Sequence, residues 1–215
     1  MVVTKPTGMH DTHHLMQLQR GLQTGLIKPA DVVRRYRSNI GLLQRMEQTK
    51  ELVGHAGCVN TIQWNSSGNM LLSGSDDTDL IVWDFPSGKI RHKWASGHVN
   101  NIFCAQFMES DKTVVSGARD GQVWVHSLAE GGKRLHRYEC HTQDVKKIAM
   151  DPQTPSVFMS CSEDGTVRLY DLREHHTCAH TPCTSNIVVQ HRSEINSVSV
   201  NPVAPHLFVV AGGSK

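Results

Sequence analysis

The chain has 215 residues, 38% of them hydrophobic and 20% charged, and a formal net charge of +2 at pH 7. This composition supports one sizeable core plus an appendage and excludes a globally disordered chain. So small a charge gives no bulk electrostatic ground for a nucleic-acid or membrane partner, and neither is expected; no apolar run approaches the roughly 20 residues that span a bilayer. Residues 1–14 hold no apolar stretch of the signal-peptide kind. Six scattered cysteines (Cys58, Cys104, Cys140, Cys161, Cys178, Cys183) lack a CxxC pair. They fit reduced thiols in an intracellular protein of the nucleus, the cytoplasm or both.

Residues 1–50 carry a helical period. Leu15, Leu18 and Leu22 share a face behind Asp11 or Thr12, either of which suits an N-cap, and Gly25 stops the helix. A second helix starts at Pro29 with Asp31 in its first turn. Val33, Tyr36, Ile40 and Leu43 fall on one of its faces, with Arg34, Arg35 and Arg37 mostly directed elsewhere. The expectation is a helix–loop–helix ahead of a larger region at 51–215. Two readings of it stay open: a cap packed on that region, or a helix that docks in a partner's groove.

From residue 51 the pattern changes to a repeat. His55, His98 and His141 lie 43 residues apart, and His191 follows after 50. Two of them close Gly-His pairs, Gly54-His55 and Gly97-His98. Behind each histidine comes an apolar stretch, a turn and a small-residue strand ending in Asp: LLSGSDD (71–77), VVSGARD (114–120) and FMSCSED (158–164). The next strand reads LIVWD (80–84), VWVHS (123–127) and VRLYD (167–171). Each unit thus offers about four short strands parted by Gly, Ser, Asp and Pro turns. One such sheet cannot hide both faces alone, so neighbouring units must stack.

This series resembles the WD-repeat family, and the resemblance implies an all-β propeller whose blades occupy about 51–94, 95–138 and 139–189. A partial fourth unit runs from 190 to 215 and stops where the pattern would place an Asp. The expectation is therefore an incomplete propeller of about three and a half blades with an N-terminal helical segment, exposing apolar faces at its open ends. The family's structural tetrad maps onto His55, Ser73, Asp77 and Trp83 in the first blade. The second keeps His98, Ser116 and Asp120, with His126 in the Trp position. The third keeps His141, Ser160 and Asp164, with Tyr170 there instead. Ser73, His55 and Asp77 are also the ingredients of a hydrolase triad, but a relay repeated in every blade is scaffolding rather than one activated nucleophile.

The third blade ends Tyr170-Asp171-Leu172-Arg173, and with Asp164, Val167 and Leu169 this resembles the extended WDxR-type box of receptors for cullin-4 ubiquitin ligases. Blades 1 and 2 carry Pro86 and Ala129 at the Arg position. The runs at 54–77, 96–107 and 118–126 are similar to one subgroup of those receptors, the adipose protein, which joins WD and tetratricopeptide repeats, and its relatives. The resemblance implies a substrate receptor that binds the ligase's propeller adaptor through Asp171 and Arg173 and presents a client protein on another face. The plainer reading is an Arg that satisfies a turn in its own blade or pairs with Glu174.

Between blades 3 and 4 lies HHTCAHTPC (175–183). His175, His176, Cys178, His180 and Cys183 are zinc-capable donors, but their spacing is not a recognised finger and no second ligand pair stands nearby. The segment reads as a plain surface loop, and no metal or cofactor is expected. With no phosphate loop, paired-carboxylate site or single-copy nucleophile motif, an enzyme is not expected either. The alternative to a ligase receptor is a generic WD adaptor in chromatin, RNA-processing or trafficking assemblies.

Overall fold

Strands rich in Val, Ile, Leu and aromatics, each four to seven residues long, dominate the computed structural model, which describes residues 2–6, 20–26, 28, 46–108, 111–176, 178 and 183–213. The chain divides into two units, 1–53 and 54–215.

In the first unit β1 (Val2–Pro6) pairs antiparallel with β2 (Met46–Glu51). This ribbon flanks the expected helix–loop–helix and is not part of that expectation. Val2, Val3 and Thr4 form a β-branched run, and neither partner has the three-and-four spacing that a helix needs. Of the first expected helix the described part is one turn at 20–23, where the Thr24 N–H donates to the Arg20 carbonyl at 2.9 Å. Gly25 follows with φ of 71°, a left-handed stop open to glycine without strain. The second expected helix, from Pro29 to Leu43, lies outside the described residues.

The second unit is a row of antiparallel sheets. Four strands each build blade 1 from β3 (Val59–Trp64), β4 (Met70–Ser75), β5 (Asp79–Asp84) and β6 (Lys89–Ala95). Blade 2 follows with β7 (Ile102–Met108), β8 (Thr113–Ala118), β9 (Val123–Ser127) and β10 (Lys133–Tyr138). Blade 3 has β11 (Val145–Met150), β12 (Val157–Ser162), β13 (Thr166–Asp171) and β14 (Ile187–Gln190). Then β15 (Ile195–Val200) and β16 (Phe208–Gly212) form a two-stranded sheet. All four sheets shift register near the start of the first strand, at Val59/Thr61, Ile102/Cys104, Val145/Lys147 and Ile195/Ser197. A bulge repeated at one place bends each inner strand alike and marks the fourth sheet as the same kind of unit.

The sheets bury their faces on one another. Leu72, Leu80 and Val82 of blade 1 pack with Ile102, Phe107 and Val114 of blade 2. Val115 and Val125 of blade 2 pack with Val145, Phe158 and Tyr170 of blade 3, and Cys161 and Val167 continue to Ile195 and Val198. Polar stitches tie the same seams: Asn101 donates to Asp76 at 2.6 Å, Asn60 to the Ile102 carbonyl at 3.1 Å, and Gln106 to the Ile148 carbonyl at 3.1 Å. At the two ends of the row Ile62, Trp64, Val209 and Val210 stay exposed, so the arc is an incomplete propeller. Among the described residues no helix is long and apolar enough to cross a membrane.

Candidate functional site

Antiparallel pairing of β4 with β5 sets Leu71 opposite Trp83, so the indole reaches the neighbouring Ser73. The Trp83 Nε1–H donates to Ser73 Oγ at 2.9 Å, the Ser73 hydroxyl donates to His55 Nε2 at 2.8 Å, and His55 Nδ1–H donates to Asp77 at 3.0 Å. One arrangement of protons satisfies every member at once. Gly54 has to precede the histidine, because a Cβ there would come within 2.6 Å of the Trp83 ring. Burial opposes ionisation of Asp77, but the Ala56 and Asp79 amides and the His55 imidazole outweigh it and hold the carboxyl below its usual range.

The other blades repeat the histidine relay and differ at its end. His98 lies 3.1 Å from Asp120 and 3.0 Å from Ser116, and His141 lies 2.9 Å from Asp164 and 2.7 Å from Ser160. His126 stands where Trp83 stands, opposite Val114, yet its Nε2–H donates to the Ser96 carbonyl at 2.8 Å. Its Nδ1 is buried without a hydrogen-bond partner among the described residues. Tyr170 stands in the tryptophan position of the third blade with its hydroxyl buried toward Ser160 and Cys140 but outside ordinary hydrogen-bond geometry, and its ring stacks on Phe158 at 4.9 Å and lies 4.7 Å from Tyr138. The phenol thus packs as an aromatic core residue beside the relay serine. The serines Ser73, Ser116 and Ser160 are only 1, 0 and 0% exposed, so the relays lie inside the blades, where satisfied polar networks stiffen a core.

Trp83→Phe keeps a ring but removes the indole N–H, and it should lower the unfolding free energy by about 1–3 kcal/mol. Urea denaturation of this variant beside Asp77→Ala checks it; unmoved midpoints in both would mean the relay is not formed.

Two further constellations lie in blade 3. The first is the turn after β13, where the Arg173 guanidinium grips Asp171 in a fork, Nε to Oδ1 at 2.9 Å and a terminal nitrogen to Oδ2 at 2.5 Å. The Arg173 side chain is nonetheless 68% exposed. Its side-chain and backbone N–H bonds to Asp171 hold that carboxyl down at about 2. Of the two local partners that the sequence offers, a turn in its own blade or Glu174, the fork takes the turn, through Asp171.

The second is a sulfur and nitrogen cluster. Cys140 Sγ lies 3.1 Å from Cys178 Sγ and 3.1 Å from His176 Nε2, which is itself 3.3 Å from Cys178 and 3.7 Å from Cys183. All four donor atoms lie within 4.8 Å of one another. His176, Cys178 and Cys183 come from the loop read as a plain one. Cys140 was not among its candidates, because it stands 36 positions before His176. His175 is not in the cluster, and His180 lies outside the described residues.

The model of the family "WD domain, G-beta repeat" matches residues 46–84, 88–127 and 132–171. Each matched repeat opens on the strand before a blade (β2, β6 and β10), so sequence repeat and structural blade are out of phase. Similar proteins include ALTERED SEED GERMINATION 2 of Arabidopsis thaliana, 37% identical over 85% of this chain and 28% of its own length. Human DDB1- and CUL4-associated factor 6 is 35% identical over 92% of this chain and 23% of its own. Human WD and tetratricopeptide repeats protein 1 is 42% identical over 66% of this chain and 21% of its own. The chain thus spans about a quarter of the length of the curated relatives it matches. The solved WD40 repeats of RRP9 superpose with a TM-score of 0.65 at 18% identity, covering 76% of this chain and 48% of that one, a likeness of fold alone.

Proposed function

Since this chain belongs to the WD-domain, G-beta-repeat family and is a scaffold of the protein-interaction class, we propose that it serves as a substrate receptor of a cullin-4 RING ubiquitin ligase. Such a receptor does no chemistry of its own. It raises the effective concentration of client lysines near the ligase's catalytic machinery. The observation that carries this reading is the Asp171–Arg173 turn: an exposed guanidinium, held in one orientation by its fork on Asp171, at the rim of a blade. A pre-oriented Arg offers its remaining donors to a partner's carbonyls or carboxylates with little further ordering. Support also comes from a relative whose name associates that protein with DDB1 and CUL4.

The same fork favours a second reading, in which Arg173 only clasps its own turn and the chain is a generic WD adaptor. Capture of the purified propeller adaptor of cullin-4 ligases separates the two. Arg173→Ala should weaken that capture at least about tenfold at matched folded concentration while leaving the melting temperature nearly unchanged. Arg173→Lys should rescue poorly, since an ammonium cannot form the fork. Equal capture by wild type and Arg173→Ala would remove Arg173 from the interface, and no capture by either would leave the generic adaptor.

A further inference from the structure

We propose that Cys140, His176, Cys178 and Cys183 bind one zinc ion in a Cys3His site that staples the 172–186 loop to the seam between blades 2 and 3. Zinc–sulfur bonds near 2.3 Å and zinc–nitrogen bonds near 2.0 Å, spread tetrahedrally, put ligand atoms roughly 3.5–3.8 Å apart. His176 Nε2 lies 3.1, 3.3 and 3.7 Å from the three sulfurs, within about 0.4 Å of that geometry, while the Cys140 and Cys178 sulfurs, 3.1 Å apart, would have to open by about 0.7 Å, and all four atoms lie within 4.8 Å of one another. Three thiolates and one imidazole are a soft donor set that selects zinc over magnesium or calcium.

The repeat itself points to Cys140. Blades 1 and 2 place Gly54 and Gly97 before the relay histidine, and blade 3 alone of the three has a cysteine there, before His141. In blade 1 a side chain at that position would strike the Trp83 indole. Blade 3 has Tyr170 in place of that tryptophan, and the two departures occur together. Cys140 is 1% exposed and Cys183 6%, both within the hydrophobic cluster that joins blades 2 and 3.

The surroundings supply what a bound cation would need. The Asn186 amide lies 3.4 Å from His176 Nδ1. With its oxygen turned that way it accepts Nδ1–H and leaves the Nε2 lone pair facing the three sulfurs. Arg168 is 2% exposed, donates to the Ser185 carbonyl at 2.8 Å two residues past Cys183, and keeps a buried Nε without a partner. Among the described residues no carboxylate forms an ion pair with it. Zinc with three thiolates carries one net negative charge, which this otherwise uncompensated guanidinium balances. Tyr138 and Tyr170, with buried hydroxyls, lie in the same cluster, their rings 5.9 and 6.5 Å from the His176 ring. Closure of the site follows the general route by which metal binding becomes folding free energy: the connection between β13 and β14 is fixed to the core.

The test uses the full 215-residue chain, purified under reducing conditions. Elemental analysis should find about one zinc per chain. Cys140→Ser, His176→Ala, Cys178→Ser and Cys183→Ser should each lose it, and His175→Ala should keep it. Because a ligand variant can unfold, cobalt(II) is also titrated into wild-type chain stripped of metal and shown by circular dichroism to retain its sheets. A tetrahedral ligand-field spectrum with thiolate charge transfer, saturating at about one equivalent and bleached by zinc, is expected. The spectrum of hydrated cobalt throughout would overturn the proposal. So would recovery of Cys140 and Cys178 as a disulfide from chain prepared without reductant and still unable to bind cobalt after reduction.

Discussion

Asp164→Ala should cost about 3–5 kcal/mol of unfolding free energy, the largest effect of any single relay substitution, because it strips the acceptor from a buried charge-assisted network. Asp164 Oδ2 accepts His141 Nδ1–H at 2.9 Å and the Thr142 N–H at 3.1 Å, and Oδ1 accepts the Thr166 N–H at 2.9 Å and the Thr166 hydroxyl at 2.7 Å. Burial works against ionisation of this carboxyl, and the His141 and Thr166 bonds overcome it to hold the acid far below its usual range. Alanine leaves four donors facing a void, with the His141 side chain fully buried among them. The corresponding Asp77→Ala in blade 1 should cost less, since that carboxylate is 12% exposed against 6% for Asp164 and water can replace part of what is lost. Urea denaturation of both variants decides the matter. A loss below about 1 kcal/mol for Asp164→Ala would show that the relay adds nothing to blade stability.

What the chain revealed before its structure follows from which interactions dictate residue type. A relay of Asp, His and Ser admits few substitutes, so its 43-residue period stands out in the sequence, and the sheets follow from the alternation around it. What ends the relay was harder to read. His126 donates to a backbone carbonyl, Ser96, and a main-chain acceptor has no sequence signature. Tyr170 joins an aromatic stack whose other members, Tyr138 and Phe158, come from two different strands. The β1–β2 ribbon joins segments about 40 residues apart, too distant for a short-range hairpin signal. The sulfur cluster is faint in the sequence for a related reason. Three of its members stand within eight residues, but the fourth sits in the preceding inter-blade turn, where only the replacement of the expected glycine by Cys140 signals it.

The buried His126, which stands in the tryptophan position of blade 2, should make the protein lose about 3 kcal/mol of stability between pH 6.5 and 4. Desolvation is the main cause that pushes the imidazole down to about 4, with His98 and Arg134 adding repulsion against the pull of the Ser96 carbonyl. Its geometry agrees: Nε2–H already donates to Ser96, and a proton on Nδ1 would meet no acceptor among the described residues. In the unfolded chain this histidine takes up its proton near pH 6.5. Between that value and about 4 the unfolded state therefore binds the extra proton and the folded state does not, so stability falls as pH falls. Below about 4 both states are protonated and the dependence from His126 ends. His141, depressed for the same reason of burial despite Asp164, acts in the same direction and begins at the same upper limit. The relay carboxylates Asp77, Asp120 and Asp164 act lower down, because their contribution is lost only as pH falls below the ordinary carboxylate value and through their depressed folded ones. His126→Gln isolates the effect, since its side-chain amide can still donate to Ser96 but cannot titrate. Unfolding free energies measured at pH 4.5, 5.5 and 7 should show a clearly shallower acid slope in this variant than in wild type. Parallel slopes would mean that His126 is protonated in the folded blade, and the buried neutral imidazole would have to be abandoned.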